Sequence, residues 1–452
     1  MVNIKLPEDV RFIIDTLADH GYGAYVVGGC VRDAILGVEP RDWDICTPAL
    51  PEQTMECFRG QRMIETGLKH GTITLLLNKK QYEITTYQVG KIYDESNQSS
   101  KSEYVKDLRD DLSRRDFTMN AMAYNPEKGF IDYFGGISDL GNRIVRCTGN
   151  ADSRFQEDPL RMMRAFRFAA VYGFTIDDNT LQSALRNKTL IKPVAAERFA
   201  SELNKLILGD GAKKMLITGA PLIAELIPEL LPMIGFEQNN PYHCFDVYNH
   251  TLQSVACAPK DVIIRLTMLF HDISKPGCYT EKDGIGHFYG HPKISSEMAE
   301  KILRRLKYDN KTVKTVTQLI FYHDTDIQPK KKHIRRWLNR IGEERLRRLL
   351  EVKRADLMSQ STEYRPKKLA VLDSVPPLID EIIEQNECFS LKDLAVNGRD
   401  LRAAGLPEGK NIGTILNHLM GLVIDETIEN DQAKLLQEAQ RWFCNEMSWI
   451  KQ

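Results

Sequence analysis

The sequence predicts an α/β head over residues 1–147 followed by an all-helical remainder. Two observations carry this. β-rich runs are confined to about the first 145 residues, and from residue 151 apolar side chains recur at helical spacing. A third concerns size: 452 residues exceed what one hydrophobic core can organise. The remainder divides into a neck (148–225), a body (226–350) and a tail (351–452), with loop-forming breaks at GDGAKK, GFEQNNPYH and KDGIGHFYGHP.

Taken in order, PEDVRFIIDTLADHG has helical periodicity and stops at Gly21. AYVVGG is a short strand feeding a turn, and VRDAILG opens a helix. DWDICT alternates as a strand should, with a turn at Pro48. GTITLLLN and QYEITTYQV form a hairpin around NKK. The polar stretch GKIYDESNQSSKSEY reads as a mobile loop. DPLRMMRAFRFAAVYGF and IKPVAAERFASELNKLIL are helical.

Composition excludes several classes. With 42% hydrophobic and 27% charged residues the chain is that of a globular protein. No apolar run reaches the roughly eighteen residues of a membrane span. The N-terminus lacks the apolar region of a signal peptide. The nine cysteines include no CxxC pair, as expected of reduced thiols in the cytoplasm. Net charge is −1, but residues 329–354 carry eleven Lys and Arg against three Glu. That segment reads equally as a surface tracking a phosphate backbone or as a solvated helix face.

Nucleotidyl transfer loads negative charge onto phosphate oxygens, and divalent ions held by hard oxygen ligands neutralise it. Asp42 and Asp44, one residue apart in a strand, present both carboxylates on one face. Such a pair repels itself without a cation. A lone DxD is more often an exposed strand edge. Upstream, however, Gly28 and Gly29 sit between strand and helix, where backbone N–H groups can approach a triphosphate, and Arg32 can add a bidentate contact. Glu83 on a neighbouring strand is either a third acid near the metals or an exposed strand residue.

GGCVRDAILG followed by RDWDICT resembles the head of the class II tRNA nucleotidyltransferase and bacterial poly(A) polymerase family, within the polymerase β superfamily. Arg114–Ala121 (RRDFTMNA), Glu157-Asp158-Pro159-Leu160-Arg161 and Glu197–Leu203 (ERFASEL) continue the match in order and spacing over about 210 residues. The resemblance implies roles. Asp42 and Asp44 hold Mg²⁺. Gly28, Gly29, Arg32 and Asp33 form the triphosphate turn. Arg115, Asp116 and Asn120 contact sugar and phosphates, Asp158 and Arg161 select the base, and Arg164 and Arg167 join the nucleotide site. A carboxylate suits the N4 amine of cytosine or the N6 amine of adenine, and a guanidinium suits ring nitrogens and cytosine O2. The competing reading of Asp158 and Arg161 is an ion pair within one helix.

In the body, HCFDVYNHTL, LFHDISKP, GIGHFYGHP and FYHDTD gather most of the ten histidines. His250, the adjacent His271-Asp272 and the distant Asp324 resemble the HD superfamily pattern, with His287, His291 and His323 as further ligand candidates. Imidazole and carboxylate suit a second divalent metal in a phosphohydrolase site, or the fold serves only as a scaffold for RNA. Head and body together look like the HD-containing bacterial CCA-adding enzymes. The resemblance implies that C, C and A are added to the 3′ end of tRNA from CTP and ATP, with a helical tRNA-binding surface in the tail. It leaves open a poly(A) polymerase or a partial CC- or A-adding enzyme. Another class, an HD phosphohydrolase with a degenerate RNA-binding head, is opposed by the intact Asp42/Asp44 pair. One departure concerns Gln88: it stands where many relatives carry an arginine, and the loop after it lacks their arginines. Oligomeric state is not legible.

Overall fold

Tyr25, Val26 and Val27 are all buried, which places their strand inside a sheet covered on both faces. The computed structural model describes residues 4–94, 99–363, 365–406 and 410–449. The chain forms two compact units, residues 1–228 and 229–452.

The strands of the first unit's head are β1 (Tyr25–Val27), β2 (Asp44–Thr47), β3 (Arg62–Ile64), β4 (Thr72–Leu77), β5 (Lys80–Thr86), β6 (Gln88–Asp94), β7 (Ser99–Tyr104), β8 (Met122–Asn125) and β9 (Gly129–Asp132). Seven make one sheet in the order β3-β4-β5-β2-β1-β8-β9, with β2 and β5 parallel and every other pair antiparallel. The helix Glu8–Asp19 buries Val10, Ile13, Ile14 and Leu17, an i, i+3, i+4, i+7 stripe. Each such side chain contributes about 1.5–3 kcal/mol of transfer free energy. The β4–β5 turn is Asn78-Lys79, both at positive φ, as a two-residue hairpin with right-handed strand twist requires.

Three elements differ from expectation. β2 begins at Asp44, so Asp42 lies before the strand and not within it. The stretch read as a mobile loop forms the β6–β7 hairpin, paired from Gln88↔Tyr104 to Asp94↔Ser99, with residues 95–98 outside the described residues. Its polar composition hid a ribbon that needs no apolar face, because it stands outside the main sheet. In the body, KDGIGHFYGHP is not simply a loop: Thr280–Lys282 and Ile285–His287 pair around Asp283-Gly284, both at positive φ. Asp-Gly is a strong signal for such a turn.

The rest of the first unit is helical, with its longest helices at Leu160–Tyr172 and Ala196–Leu208, apart from two short strands, Ile144–Val145 and Thr175–Ile176, that pair in parallel where only helix was expected. Gly209 lets the chain pass against the first: a Cβ there would lie 2.5 Å from the Ala170 backbone. The second unit is built from helices Val247–Cys257, Val262–Phe270, His291–Arg305, Asn310–Tyr322, Lys331–Ile341 and Glu343–Ser359, followed by a separate core of Leu401, Ile415, Leu419, Leu435 and Ala439. No helix among the described residues is long and apolar enough to cross a membrane.

The basic segment 329–354 is largely neutralised within its own unit. Lys331 pairs with Glu381 and Glu387, Arg335 with Glu387 and Glu426, Lys332 and Arg336 with Asp425, Arg347 with Asp380, and Arg354 with Asp373. Exposed pairs of this kind add little stability, but they cancel the positive field that a phosphate backbone would meet. Arg336→Ala should therefore shift the log–log salt slope of RNA affinity by less than about one unit, measured by filter binding between about 50 and about 200 mM salt. A loss of one full unit would show that Arg336 contacts phosphate.

Candidate active site and candidate metal centre

Gly28 turns the chain out of β1 at φ 76°, and a Cβ there would meet Arg115 Nη1 at 3.0 Å. The helix Gly29–Ile35 then presents Arg32, which is buried. Its Nη1 donates to Asn120 Oδ1 (2.6 Å) and its Nε to Asp33 Oδ1 (2.9 Å). The guanidinium lies 5.2 Å from the Phe168 ring centre and 5.0 Å from that of Tyr172, whose hydroxyl donates to Asp33 (2.9 Å).

From Asn120 the chain of bonds continues. Its Nδ2 donates to Asp116 Oδ1 (2.9 Å), and Asp116 Oδ2 accepts from Arg164 Nε (2.8 Å) and Nη2 (2.6 Å). Burial pushes the Asp116 carboxyl up. The Arg164 charge and the hydrogen bonds from Asn120, Arg164 and the Phe117 amide outweigh that and hold it below the usual carboxylate range. Arg115 and Arg114 are braced from behind by the buried Asp111: Arg115 Nη2 on Oδ2 at 3.1 Å, Arg114 Nη2 on Oδ1 at 3.0 Å.

Asp158 and Arg161 do not share one helix. Asp158 closes the helix Ala151–Glu157 in extended conformation, and Arg161 sits in the first turn of Leu160–Tyr172. They form no ion pair with each other. Asp158 Oδ2 accepts from Arg198 (2.9 Å), while Arg161 donates to Glu157 (2.8 Å) and to the Arg114 carbonyl (2.8 Å). The same cavity, of about 440 Å³, is lined by Gly28, Gly29, Arg32 and Asp44 and by Asp116, Asn120, Asp158, Arg161 and Arg164. Arg114, Arg115, Leu160, Phe168 and Arg198 complete its wall. Asp33 and Arg167 do not line it. Asp33 holds Arg32, and Arg167 is bound to the buried Glu202 (2.7 Å) while covering Phe168.

Asp44 and Glu83 are register partners on the parallel strands β2 and β5. Crowding by protein raises the Asp44 carboxyl, Arg115 opposes this, and Glu83 and Asp42 add to it. Asp44 nevertheless stays exposed, as does Asp42. The anionic corner of the head is thus Asp42, Asp44 and Glu83.

A second polar centre is buried in the other unit. Helix Val247–Cys257 brings His250. The end of Val262–Phe270 brings His271 and Asp272, the start of His291–Arg305 brings His291, and the end of Asn310–Tyr322 brings His323. Each Nε2 faces the Asp272 carboxylate: His250 at 3.4 Å, His271 at 3.2 Å, His291 at 3.3 Å and His323 at 3.7 Å. Asp356 stands 3.0 Å from His250 and 3.7 Å from His271. His250-His271-Asp272 and Asp272-His291-His323 are each compact enough to hold one ion. Asp324 is in neither set. It is exposed on the wall of the adjoining cavity, and Asp356 stands where a distant aspartate was expected. His287 also lines that cavity, stacked on Tyr289.

Hydrogen bonding fixes the imidazoles. Nδ1 of His271, His291 and His323 meets the carbonyls of Met268 (2.7 Å), Phe288 (2.8 Å) and Ile320 (2.6 Å). A carbonyl only accepts, so Nδ1 carries the hydrogen, and Nε2 is the nitrogen turned toward the carboxylates. Among the described residues, Nε2 of His250 and His271 and both Asp272 oxygens are buried without a hydrogen-bond partner. Lys275 Nζ, 2.7 Å from Asp272, contributes charge there. Protons cannot satisfy the whole set. Burial opposes a charge on His271, yet Asp272 and Asp356 raise it to about 10, whereas burial and the neighbouring His271 hold His323 down at about 3.

Residues 24–146 match the family described as "Poly A polymerase head domain", residues 173–233 "Probable RNA and SrmB- binding site of polymerase A", and residues 279–439 a tRNA nucleotidyltransferase domain 2. The CCA-adding enzyme of Enterococcus faecalis is 30% identical over 435 residues, 95% of this chain and 94% of that one. That of Lactobacillus delbrueckii is 40% identical over 217 residues, 47% of this chain, and the match spans 54% of the relative's length. The crystal structure of the Bacillus stearothermophilus CCA-adding enzyme in complex with CTP superposes with a TM-score of 0.73 at 28% identity, covering 98% of each chain.

Asp116→Asn should weaken the joint to Arg164. A carboxyl depressed in the folded state contributes stability above its unfolded pKa of 3.8 and loses it as pH falls through the lower folded value. The melting-temperature gap between wild type and Asp116→Asn should thus persist at neutral pH and close as the pH is taken below 3.8. A pH-independent gap would show that ionisation of Asp116 is immaterial.

Proposed function

The chain belongs to the family of CCA-adding enzymes, and from that premise we propose that it adds C, C and A to the 3′ end of tRNA from CTP and ATP, releasing pyrophosphate. One observation carries the reading: a single cavity joins the glycine turn and Asp44 at one end to Asp158 and Arg161 at the other. It can therefore hold a triphosphate and a base together.

Asp42 and Asp44 are the proposed ligands of Mg²⁺, with Glu83 beside them. Hard carboxylate oxygens crowded enough to raise the Asp44 carboxyl fit such an ion. When bound, the ion neutralises phosphate charge and lowers the pKa of the attacking hydroxyl. Arg32 and Arg115 bind the triphosphate, Asn120 and Asp116 orient the sugar, and Arg164 keeps Asp116 charged. Asp158 accepts from the exocyclic amine shared in position by cytosine and adenine, and Arg161 donates to the ring edge. Uracil and guanine present a carbonyl there, which a carboxylate repels.

Incubating tRNAs that end before the first C, after the second C, or complete, with each labelled nucleotide in turn, tests this. Extension is expected to stop at the terminal A; continued addition of A would make the chain a poly(A) polymerase, and arrest after CC a partial enzyme. Asp42→Ala with Asp44→Ala should abolish incorporation, and normal incorporation would remove the head as the active site. Arg161→Ala should lower discrimination of CTP over UTP by about tenfold or more, the scale of a lost bidentate contact.

A second reading, a metal-dependent phosphohydrolase in the body, is favoured by the four imidazole Nε2 atoms gathered on Asp272. His271→Ala should abolish high-affinity binding of Mn²⁺ by the full chain, read by calorimetry, and leave nucleotide addition intact. Loss of addition would tie the two sites together.

A further inference from the structure

The four imidazoles of the body do not converge on one atom. Asp272 divides them between its two oxygens. His250 Nε2 (3.4 Å) and His271 Nε2 (3.2 Å) face Oδ2, whereas His291 Nε2 (3.3 Å) and His323 Nε2 (3.7 Å) face Oδ1. Asp356 Oδ1 stands on the first side, 3.0 Å from His250 and 3.7 Å from His271. On the second side the Nε2 atoms of His291 and His323 approach each other to 3.2 Å. Among the described residues these form two compact sets, His250-His271-Asp272 and Asp272-His291-His323, and Asp272 is the member they share.

Imidazole nitrogen and carboxylate oxygen bind a divalent metal at about 2.0–2.2 Å, so neighbouring donors around one ion lie about 3.0–3.5 Å apart. The separations within each set are close to that range. A carboxylate that turns one oxygen to each of two such sets has the geometry of a bridge, as in paired-metal phosphoryl-transfer sites. The rings are also oriented from outside. Nδ1 of His271, His291 and His323 meets a backbone carbonyl, and Nδ1 of His250 meets the Ser359 hydroxyl (3.0 Å), itself 2.6 Å from Ser254 Oγ. Outer bonds of this kind fix the direction in which Nε2 offers itself. All four imidazoles and Asp272 are buried. A cavity of about 290 Å³ reaches Asp272, His291 and His323 from one side and Asp356 from the other, and Lys275 lines it too. An anion entering there meets both sets and an ammonium.

We infer that the body holds a pair of divalent metal ions bridged by Asp272, one bound by His250, His271 and Asp356, the other by His291 and His323, with their open positions toward this cavity. The inference rests on the metal-dependent reading of the body and adds the number of ions and the ligand they share. The first set has four protein ligands and is the tighter; the second has three and is weak alone.

The full chain carrying Asp42→Ala and Asp44→Ala, which takes the proposed head ions out of the count, can be stripped with a chelator and titrated with Mn²⁺. Calorimetry should give two ions per chain. At saturation, electron paramagnetic resonance should show an exchange-coupled spectrum in place of the hyperfine pattern of isolated Mn²⁺. One ion per chain would overturn the pair and leave a single-metal phosphohydrolase standing, whereas no bound ion would sink both. Two ions without coupling would overturn the bridge. His291→Ala in the same background should bind one ion with the isolated pattern, and a coupled spectrum there would overturn the ligand assignment. Should His291→Ala not fold, the count and the spectrum of the chain with its body intact decide.

Discussion

The head and its helical neck are joined by one line of hydrogen bonds: Arg32 to Asn120, Asn120 to Asp116, Asp116 to Arg164. Arg32 comes from the helix after the glycine turn, Asn120 from the turn before β8, and Arg164 from the helix Leu160–Tyr172. Everything in the nucleotide cavity is placed relative to this line. It is also a chain of alternating charge, cation to amide to anion to cation. A buried guanidinium without its acceptor leaves a charge uncompensated, so the bonds are mutually obligatory.

The same rule explains why so many arginines can share one cavity. Like charges at this spacing repel, and each is offset from behind by an acid of the chain itself. Asp111 holds Arg114 and Arg115, Asp116 holds Arg164, Glu157 holds Arg161 and Asp158 holds Arg198, while outside the cavity Glu202 holds Arg167. Phe168 adds a neutral surface on which Arg32, Arg164 and Arg167 rest. The guanidiniums are thereby oriented before a polyanion arrives, which spares the cost of ordering them on binding.

How much was legible in the sequence follows from the range of the interactions. Asp44, the glycine turn and RRDF are local patterns whose chemistry is written in adjacent residues. Asp111 and Arg198 are not, because each acquires its meaning only when distant segments meet: Arg198 reaches back forty positions to Asp158. For the same reason Asp356 was invisible while Asp324, next to His323, drew attention. Helical phase puts Asp356 on the buried face of Glu343–Ser359, a face that composition alone does not reveal. The β6–β7 hairpin was missed because polar ribbons lack the apolar alternation that marks a strand. In the basic segment, a count of lysines and arginines is blind to the acids that residues 373–426 supply to it.

The two polar centres solve inverse electrostatic problems with the same few residue types. In the head, carboxylates hold arginines from behind, and guanidinium groups outnumber carboxylates along the cavity wall. In the body, imidazoles locked by backbone carbonyls turn their Nε2 atoms inward onto one carboxylate. A chain of net charge −1 therefore owes nothing of its chemistry to its overall charge. Its chemistry lies in how unevenly that near-zero total is divided between two sites.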